Sequence, residues 1–193
     1  MKQNLRIALL MTFVTTVIFG LVYPLAVTGL GQLLFPSQAN GGLIVKNGRT
    51  IGSRLIGQSF SSDKYFHARP SAARNGYDPV FAGGGASNLG PTNRQLLDRV
   101  KNDVEKLHVE NPEAAIPIEL VTTSGSGLDP DISPAAAEFQ IPRIARSRHV
   151  SEAELRALIT QHTVARQFGV LGEPRINVLE LNLDLDAQHP VSK

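Results

Sequence analysis

The sequence predicts a single N-terminal transmembrane helix followed by one mixed α+β extracytoplasmic domain. Three observations predict it. No charge interrupts the run from Ile7 to Phe35. Residues 36–193 hold every acidic residue and every basic one except Lys2 and Arg6. Within that part, apolar residues recur at both helical and strand spacings, punctuated by turn and cap residues.

The span comes first. A bilayer core needs about 20 apolar residues in a helix, and residues 7–35 as one helix would reach roughly 43 Å at the usual rise per residue. A cleaved signal peptide has a shorter apolar core and small residues at its cleavage site. This run is longer and has no clear A-x-A at its end, so it reads as an uncleaved anchor in the cell inner membrane. Lys2 and Arg6 precede it, and the next basic residue is Lys46. By the positive-inside rule residues 1–6 are a short cytoplasmic N-terminus, and the soluble domain, 36–193, is periplasmic or extracellular. Ala8, Thr12, Thr16 and Gly20 recur every fourth residue and offer a small-residue face on which a second helix can pack closely. Pro24 should kink the helix. Gln32 should mark the exit into the interface.

Leu43–Val45, Asn47-Gly48 and Thr50–Gly52 read as a β-hairpin, because a type I′ turn needs positive φ at both central residues. Leu55-Ile56-Gly57-Gln58 extends or follows the second strand. Ser59 to Pro91 is an irregular stretch holding Tyr65-Phe66-His67, Arg69-Pro70-Ser71, Asn75-Gly76-Tyr77-Asp78-Pro79 and Gly83-Gly84-Gly85. Loops of this length are uncommon in compact domains and usually functional or disordered. Thr92 to Gln95 reads as a capping box, opening a helix with Leu96, Leu97, Val100, Val104 and Leu107 on one face. Ile116 to Thr123 reads as a buried strand and Ser124 to Pro130 as a loop. Ser133 caps a short helix with Pro134 at its first position. Pro142 should end that helix, leaving Arg143 to Arg148 as a second one. Ser151-Glu152-Ala153-Glu154 is a capping box for a helix through about Phe168. Leu179, Leu181, Leu183 and Leu185 alternate with polar residues, as in a half-buried strand.

The chemistry of the chain is mostly negative. The soluble part has zero formal charge, which argues against nucleic acid. With no cysteine there is no disulfide, thiol catalysis or Cys-based metal site. The five histidines include no H-E-x-x-H pair, and no metal site is expected. Ser126 lies between glycines, but Ser124 and Leu128 stand where G-x-S-x-G needs glycine. No catalytic residue is assigned, although a membrane-anchored hydrolase or envelope-binding module stays open as an alternative, since a triad is assembled in space. Ser124 to Pro134 reads as a connector whose Asp129 satisfies loop amides; the other reading is a partner contact. Arg143, Arg146 and Arg148 read as a solvated helix face.

Four segments, taken together, resemble the KdpC family, the C subunits of bacterial Kdp potassium-transporting P-type ATPases. They are Asn47-Gly48 with Gly52 to Gln58, Tyr65 to Ser71, Ser124 to Pro134, and Leu171 to Asn182. Order, spacing and the N-terminal span also fit, so the likeness covers nearly the whole chain. Ala68 stands where the family leads one to expect proline, and Asp131 where it leads one to expect histidine. The resemblance implies a non-catalytic accessory subunit of an ATP-driven potassium uptake complex. Its implied partners are a potassium-selecting channel-like subunit, a P-type ATPase catalytic subunit, a small membrane peptide and the lipid bilayer. It also implies a role as a catalytic chaperone raising the ATP affinity of the pump subunit, with ATP as cofactor of the complex and not of this chain. Leu55-Ile56-Gly57-Gln58 is similar to the tail of an ABC-transporter signature, which nominates Gln58 for a nucleotide contact. ATP is cytoplasmic, whereas the flanking charges put the domain outside. For partner contacts the expected residues are Ala8, Thr12, Thr16 and Gly20 in the membrane, and Tyr65, Phe66, His67, Arg69, Ser126 and Asp129 in the soluble part, since aromatic and Arg side chains are the types that anchor interfaces.

Overall fold

The computed structural model describes residues 1–73, 77 and 86–190. The expected turns at Asn75-Gly76, Asp78-Pro79 and Gly83–Gly85 lie outside the described residues. The chain forms two compact units, Met1–Ile51 and Gly52–Lys193. The division falls inside the hairpin's second strand, and each unit is taken by itself.

The first unit is one apolar helical run, Lys2–Leu34, long enough to cross a membrane and with none of its apolar window buried in the chain. It consists of α1 (Lys2–Val17), a π-helical turn (Ile18–Val22) and α2 (Tyr23–Leu34). Pro24 explains the π turn: it has no N–H and its ring presses on the carbonyl four residues earlier, so the preceding turn widens. Thr15 back-bonds to the Met11 carbonyl at 2.8 Å. A Cβ placed on Gly20 would sit 3.9 Å from Thr16, so these two share a face. At the far end Gln32 and Asn40 exchange amide hydrogen bonds of 3.3 and 3.0 Å. The only amide of the span (as the sequence reads it) is thus satisfied by the short helix α3 (Pro36–Ala39) and its cap. Strands β1 (Leu43–Lys46) and β2 (Arg49–Ser53) form the expected hairpin. Asn47 and Gly48 both have positive φ, 53° and 73°.

The second unit is mostly helical. Helices α4 (Arg94–Glu110), α5 (Pro134–Arg148), α6 (Glu152–His162) and α7 (Val178–Gln188) accompany a pair of two-residue antiparallel strands, β3 (Asp131–Ile132) and β4 (Ile176–Asn177). Its core joins Phe66, Ile132, Phe139, Ile141, Ile144, Leu155, Leu158, Ile176, Leu181 and Leu185. Helix α5 packs on α6, and α6 on α7. Caps fall where the sequence put them for α5, where Ser133 accepts from the Ala136 N–H at 3.1 Å, and for α6, where Ser151 and Glu154 form the full capping box. For α4 the cap is Asn93, one residue later than expected, accepting from Gln95 at 2.8 Å.

Four expectations are corrected. Ile116 to Thr123 is no strand: after Pro117, Ile118–Leu120 forms a 3₁₀ turn. Pro117 removes a ladder donor there, and side chains take over, Arg99 donating to the Val121 carbonyl at 3.1 Å. Pro142 does not divide α5. The carbonyl it orphans belongs to exposed Glu138, where water can serve it, while the opposite face buries Ala137, Ile141 and Ile144. Helix α6 stops at His162, well before Phe168. Leu179 to Leu185 is helix, not strand. Asn177 caps it by accepting from Glu180 at 3.1 Å, and the buried set Val178, Leu181, Asn182, Leu185 follows the helical period. The strands therefore do not frame the domain at both ends.

Candidate functional site

Gly52 to Gln58 of the first recognised segment and parts of the other three, far apart in sequence, meet at one polar junction in the second unit. Gly57 starts it. Its N–H donates to the Leu128 carbonyl at 2.8 Å. A Cβ there would lie 2.6 Å from the Asp129 carbonyl oxygen and inside the Tyr77 ring, so only glycine allows the approach. Gln58 folds its amide over Gly52, where an added Cβ would push that amide aside. Arg69 comes from the second segment. It donates to Asp129 at 3.1 Å and to the Thr123 carbonyl at 3.4 Å. Ser71 donates to the Gly127 carbonyl at 2.5 Å. Tyr77 donates its hydroxyl to the Arg69 carbonyl. Burial, and then the Asp129 carboxylate, push the Tyr77 pKa up to about 12 against the pull of Arg69, so it stays a donor.

Asp129 behaves as the connector reading required, accepting from the Asp131 N–H at 3.1 Å in an Asx turn. Beyond it, Asp131 pairs with Asn177 and Ile132 with Ile176 in the two-residue ladder, and the Val178 N–H donates to the Pro130 carbonyl at 3.0 Å. Asn177 has two duties: besides capping α7 it donates to the Arg54 carbonyl at 3.0 Å. Ion pairs Arg54–Glu180 (2.6 Å) and Arg175–Asp131 (3.1 Å) close the ring. Burial raises the Asp131 pKa, helped by Asp129 and Glu180 and opposed by Arg175 and Asn177. An open depression of about 280 Å³ beside this ring is lined by Glu119, Asp129, Asp131, Ser133, Glu173 and Arg175. Among the described residues no cluster of three metal-ligating side chains occurs.

A second network holds Tyr65-Phe66-His67. Asn182 of α7 accepts from the Phe66 N–H and donates to the Phe66 carbonyl, both at 2.9 Å. Gln140 of α5 does the same for His67, at 2.7 and 3.0 Å. Arg143 donates to the Asp63 and Tyr65 carbonyls at 2.6 and 2.9 Å and to Glu110 of α4 at 2.8 Å. Arg148 lies 4.7 Å above the Tyr65 ring and pairs with Asp186 at 2.7 Å, while the Tyr65 hydroxyl bonds the same carboxylate at 3.1 Å. Two helices, α5 and α7, thus serve a segment that has no strand beside it among the described residues. The expected solvated arginine face holds for Arg146, which is exposed, and is corrected for the other two: the Arg143 and Arg148 side chains are 8% and 2% exposed.

The expected contact residues separate accordingly. Phe66 is fully buried in the chain's own core and has no surface to offer. Tyr65, His67, Arg69 and Asp129 are half-buried and engaged internally, Ser126 is exposed, and Ala8, Thr12, Thr16 and Gly20 are exposed along the apolar helix. Ser126 contacts Ser124 at 3.4 Å and accepts from the Leu128 N–H at 3.1 Å. His67 engages the Ser62 carbonyl and His162 engages Asp184, so neither activates Ser126. Sequence reasoning missed Gln140, Arg143, Arg148, Asn177 and Asn182. Asn177 alone had a local signal, an Asn just ahead of an apolar set at helical spacing.

Comparison with known proteins agrees with the motifs. Residues 5–187 match the family profile "KdpC: K+-transporting ATPase, c chain". A protein of Koribacter versatilis (strain Ellin345) is 58% identical over 99% of this chain and 98% of its own length. One from Acidobacterium capsulatum is 56% identical over 97% and 100%, and one from Rhodopseudomonas palustris (strain BisB18) 54% over 97% and 99%. All three are named potassium-transporting ATPase KdpC subunit. The chain belongs to the KdpC family.

Proposed function

We propose that this member of the KdpC family is a non-catalytic accessory subunit of an ATP-driven potassium uptake complex. Its partners are a potassium-selecting subunit, an ATP-hydrolysing subunit and a small membrane peptide. The observation that carries the reading is the meeting of parts of the four family segments, Gly52 to Gln58 from the first, at one internally paired junction. Arg54, Arg69 and Arg175 are each held by a carboxylate, and among the described residues Ser126 bonds Ser124 and the Leu128 N–H rather than a histidine. Such internal pairing supports a structural role for the family-defining residues.

The helix Lys2–Leu34 anchors the chain, with Lys2 and Arg6 favouring a cytoplasmic N-terminus. The folded unit then lies outside, over the outer mouth of the potassium-selecting subunit, while the face with Thr16 and Gly20 packs on a helix of that subunit. ATP is on the other side, so any gain in ATP affinity passes through the partner subunits, and Gln58 makes no nucleotide contact. The test is potassium-stimulated ATPase activity of the complex purified with and without this chain, together with protease treatment of spheroplasts. Loss of activity or of ATP affinity without the chain, and digestion of the folded unit from outside, are expected. Full activity without it, or digestion only in inverted vesicles, would overturn the role or the topology respectively.

A further inference from the structure

The segment from Val164 to Arg175 leaves the core and pairs its backbone with itself. Val164 and Arg175 exchange backbone hydrogen bonds of 2.9 and 3.0 Å, and Gln167 and Leu171 exchange two of 2.9 Å. Phe168 and Gly169 turn the chain, with φ of 53° and 76°. Every residue from Val164 to Glu173 is exposed. At the tip Phe168 is 91% and Val170 72% exposed, with Leu171 beside them. Glycine is at ease at positive φ, but a bulky L-residue there is strained. The fold therefore holds a large aromatic, fully wetted, in a conformation that Asn or Gly would adopt without strain. Strain at an exposed apolar residue is the observation from which a contact is inferred.

We infer that this hairpin tip is the docking point of the folded unit on a protein subunit of the transporter, most directly the potassium-selecting one. The proposal rests on the accessory-subunit reading above. Charge favours a protein over lipid. Arg166 pairs with Glu173 at 2.5 Å on the stem, and Arg175 with Asp131 at its base. A rim of both signs around an apolar centre is the anatomy of a protein interface, whereas an anionic lipid surface favours a cationic rim and repels Glu173. The ladder also fixes the backbone that carries Phe168 before contact. Such preorganisation strengthens binding to a shaped protein recess and adds little in fluid lipid.

The test uses the assembled complex in membranes, with p-benzoylphenylalanine in place of Phe168 and ultraviolet irradiation. A covalent product with the potassium-selecting subunit is expected. Products with lipid alone, with a second copy of this chain, or with nothing overturn the proposal. In parallel, Phe168→Asn combined with Val170→Ser and Leu171→Ser should lower copurification by about tenfold or more, as loss of a central aromatic anchor does. The thermal midpoint of the purified chain should stay the same or rise, since the turn strain is gone. Undiminished copurification of the triple variant also overturns it. Failure of the wild-type chain to copurify with any potassium-transport subunit would instead remove the accessory-subunit reading itself.

Discussion

Tyr65-Phe66-His67 and Arg166–Val170 are both irregular segments that present an aromatic side chain, and they end in opposite environments. The first has no strand beside it, so its backbone is satisfied by the side chains of Asn182, Gln140 and Arg143, and Phe66 is sealed in the core. The second satisfies its own backbone through the Val164–Arg175 and Gln167–Leu171 pairs, needs nothing from the core, and leaves Phe168 in water. Where the backbone finds its partners decides where the aromatic goes. A loop that borrows side chains from helices is drawn inward with its own side chains, whereas a self-paired hairpin is free to project.

The sharpest way to break this contrast is a matched pair of truncations. Phe66→Ala empties a fully buried site and should destabilise the folded unit by ~3–5 kcal/mol, the range for large aromatic deletions. Phe168→Ala touches nothing in the chain and should change stability by less than about 0.5 kcal/mol, as surface substitutions usually do. The chain has no tryptophan, so denaturant unfolding followed by circular dichroism is the suitable measurement. Similar losses in both variants would mean that the hairpin is part of the core's cooperative unit.

A second substitution isolates the borrowed hydrogen bonds from the packing. Asn182→Leu keeps the volume and apolar contacts of a buried α7 position but leaves the Phe66 N–H and C=O without partners. Each stranded buried group costs ~1–3 kcal/mol, so a loss of about 2–4 kcal/mol is expected. Stability equal to wild type would show that water or a shifted backbone replaces the amide, and that the clamp is incidental to the placement of Phe66.

What the sequence made legible follows the same division. Most signals carried by contiguous sequence read correctly, the uncharged span, Asn47-Gly48, Ser133-Pro134, and Ser151 with Glu154 among them, although Pro142 does not end its helix. Signals that depend on a distant partner did not. On sequence alone Asn182 falls on the polar face of an alternating strand, because nothing nearby says that its amide meets Phe66 across the fold. Arg143 and Arg148 were placed in solvent because their acceptors are carbonyls of residues 63–65, and a backbone carbonyl has no sequence signature. The alternating leucines of 179–185 fitted a strand on their own, and only Val178 and Asn182 restore the helical period. At the junction the family segments were recognisable, but their meeting through Gly57, Arg69 and Asn177 was not.

The smallest effect probes the clamp through protons. His67 is held between Gln140 and the Ser62 carbonyl. Burial lowers its pKa first, the neighbouring Arg143 guanidinium lowers it further, and the Ser62 carbonyl, Glu110 and Asp63 oppose them. The folded state therefore resists a proton that the unfolded chain accepts near the ordinary value of 6.5. Stability rises with pH wherever the unfolded state binds more protons. The His67 contribution is thus present above that value and is lost as pH falls below it towards the folded pKa. His67→Gln keeps a donor for the Ser62 carbonyl and removes the titration. The stability gap between pH 7.5 and pH 5.5 should be smaller in this variant than in the wild type, with the two closest near neutrality. An equal gap would mean that His67 takes up its proton as readily in the folded chain as in the unfolded one, and that the clamp opens around it without cost. The hairpin has no histidine, so this acid sensitivity should appear in unfolding of the folded unit and be absent from any hairpin-dependent association measured over the same range.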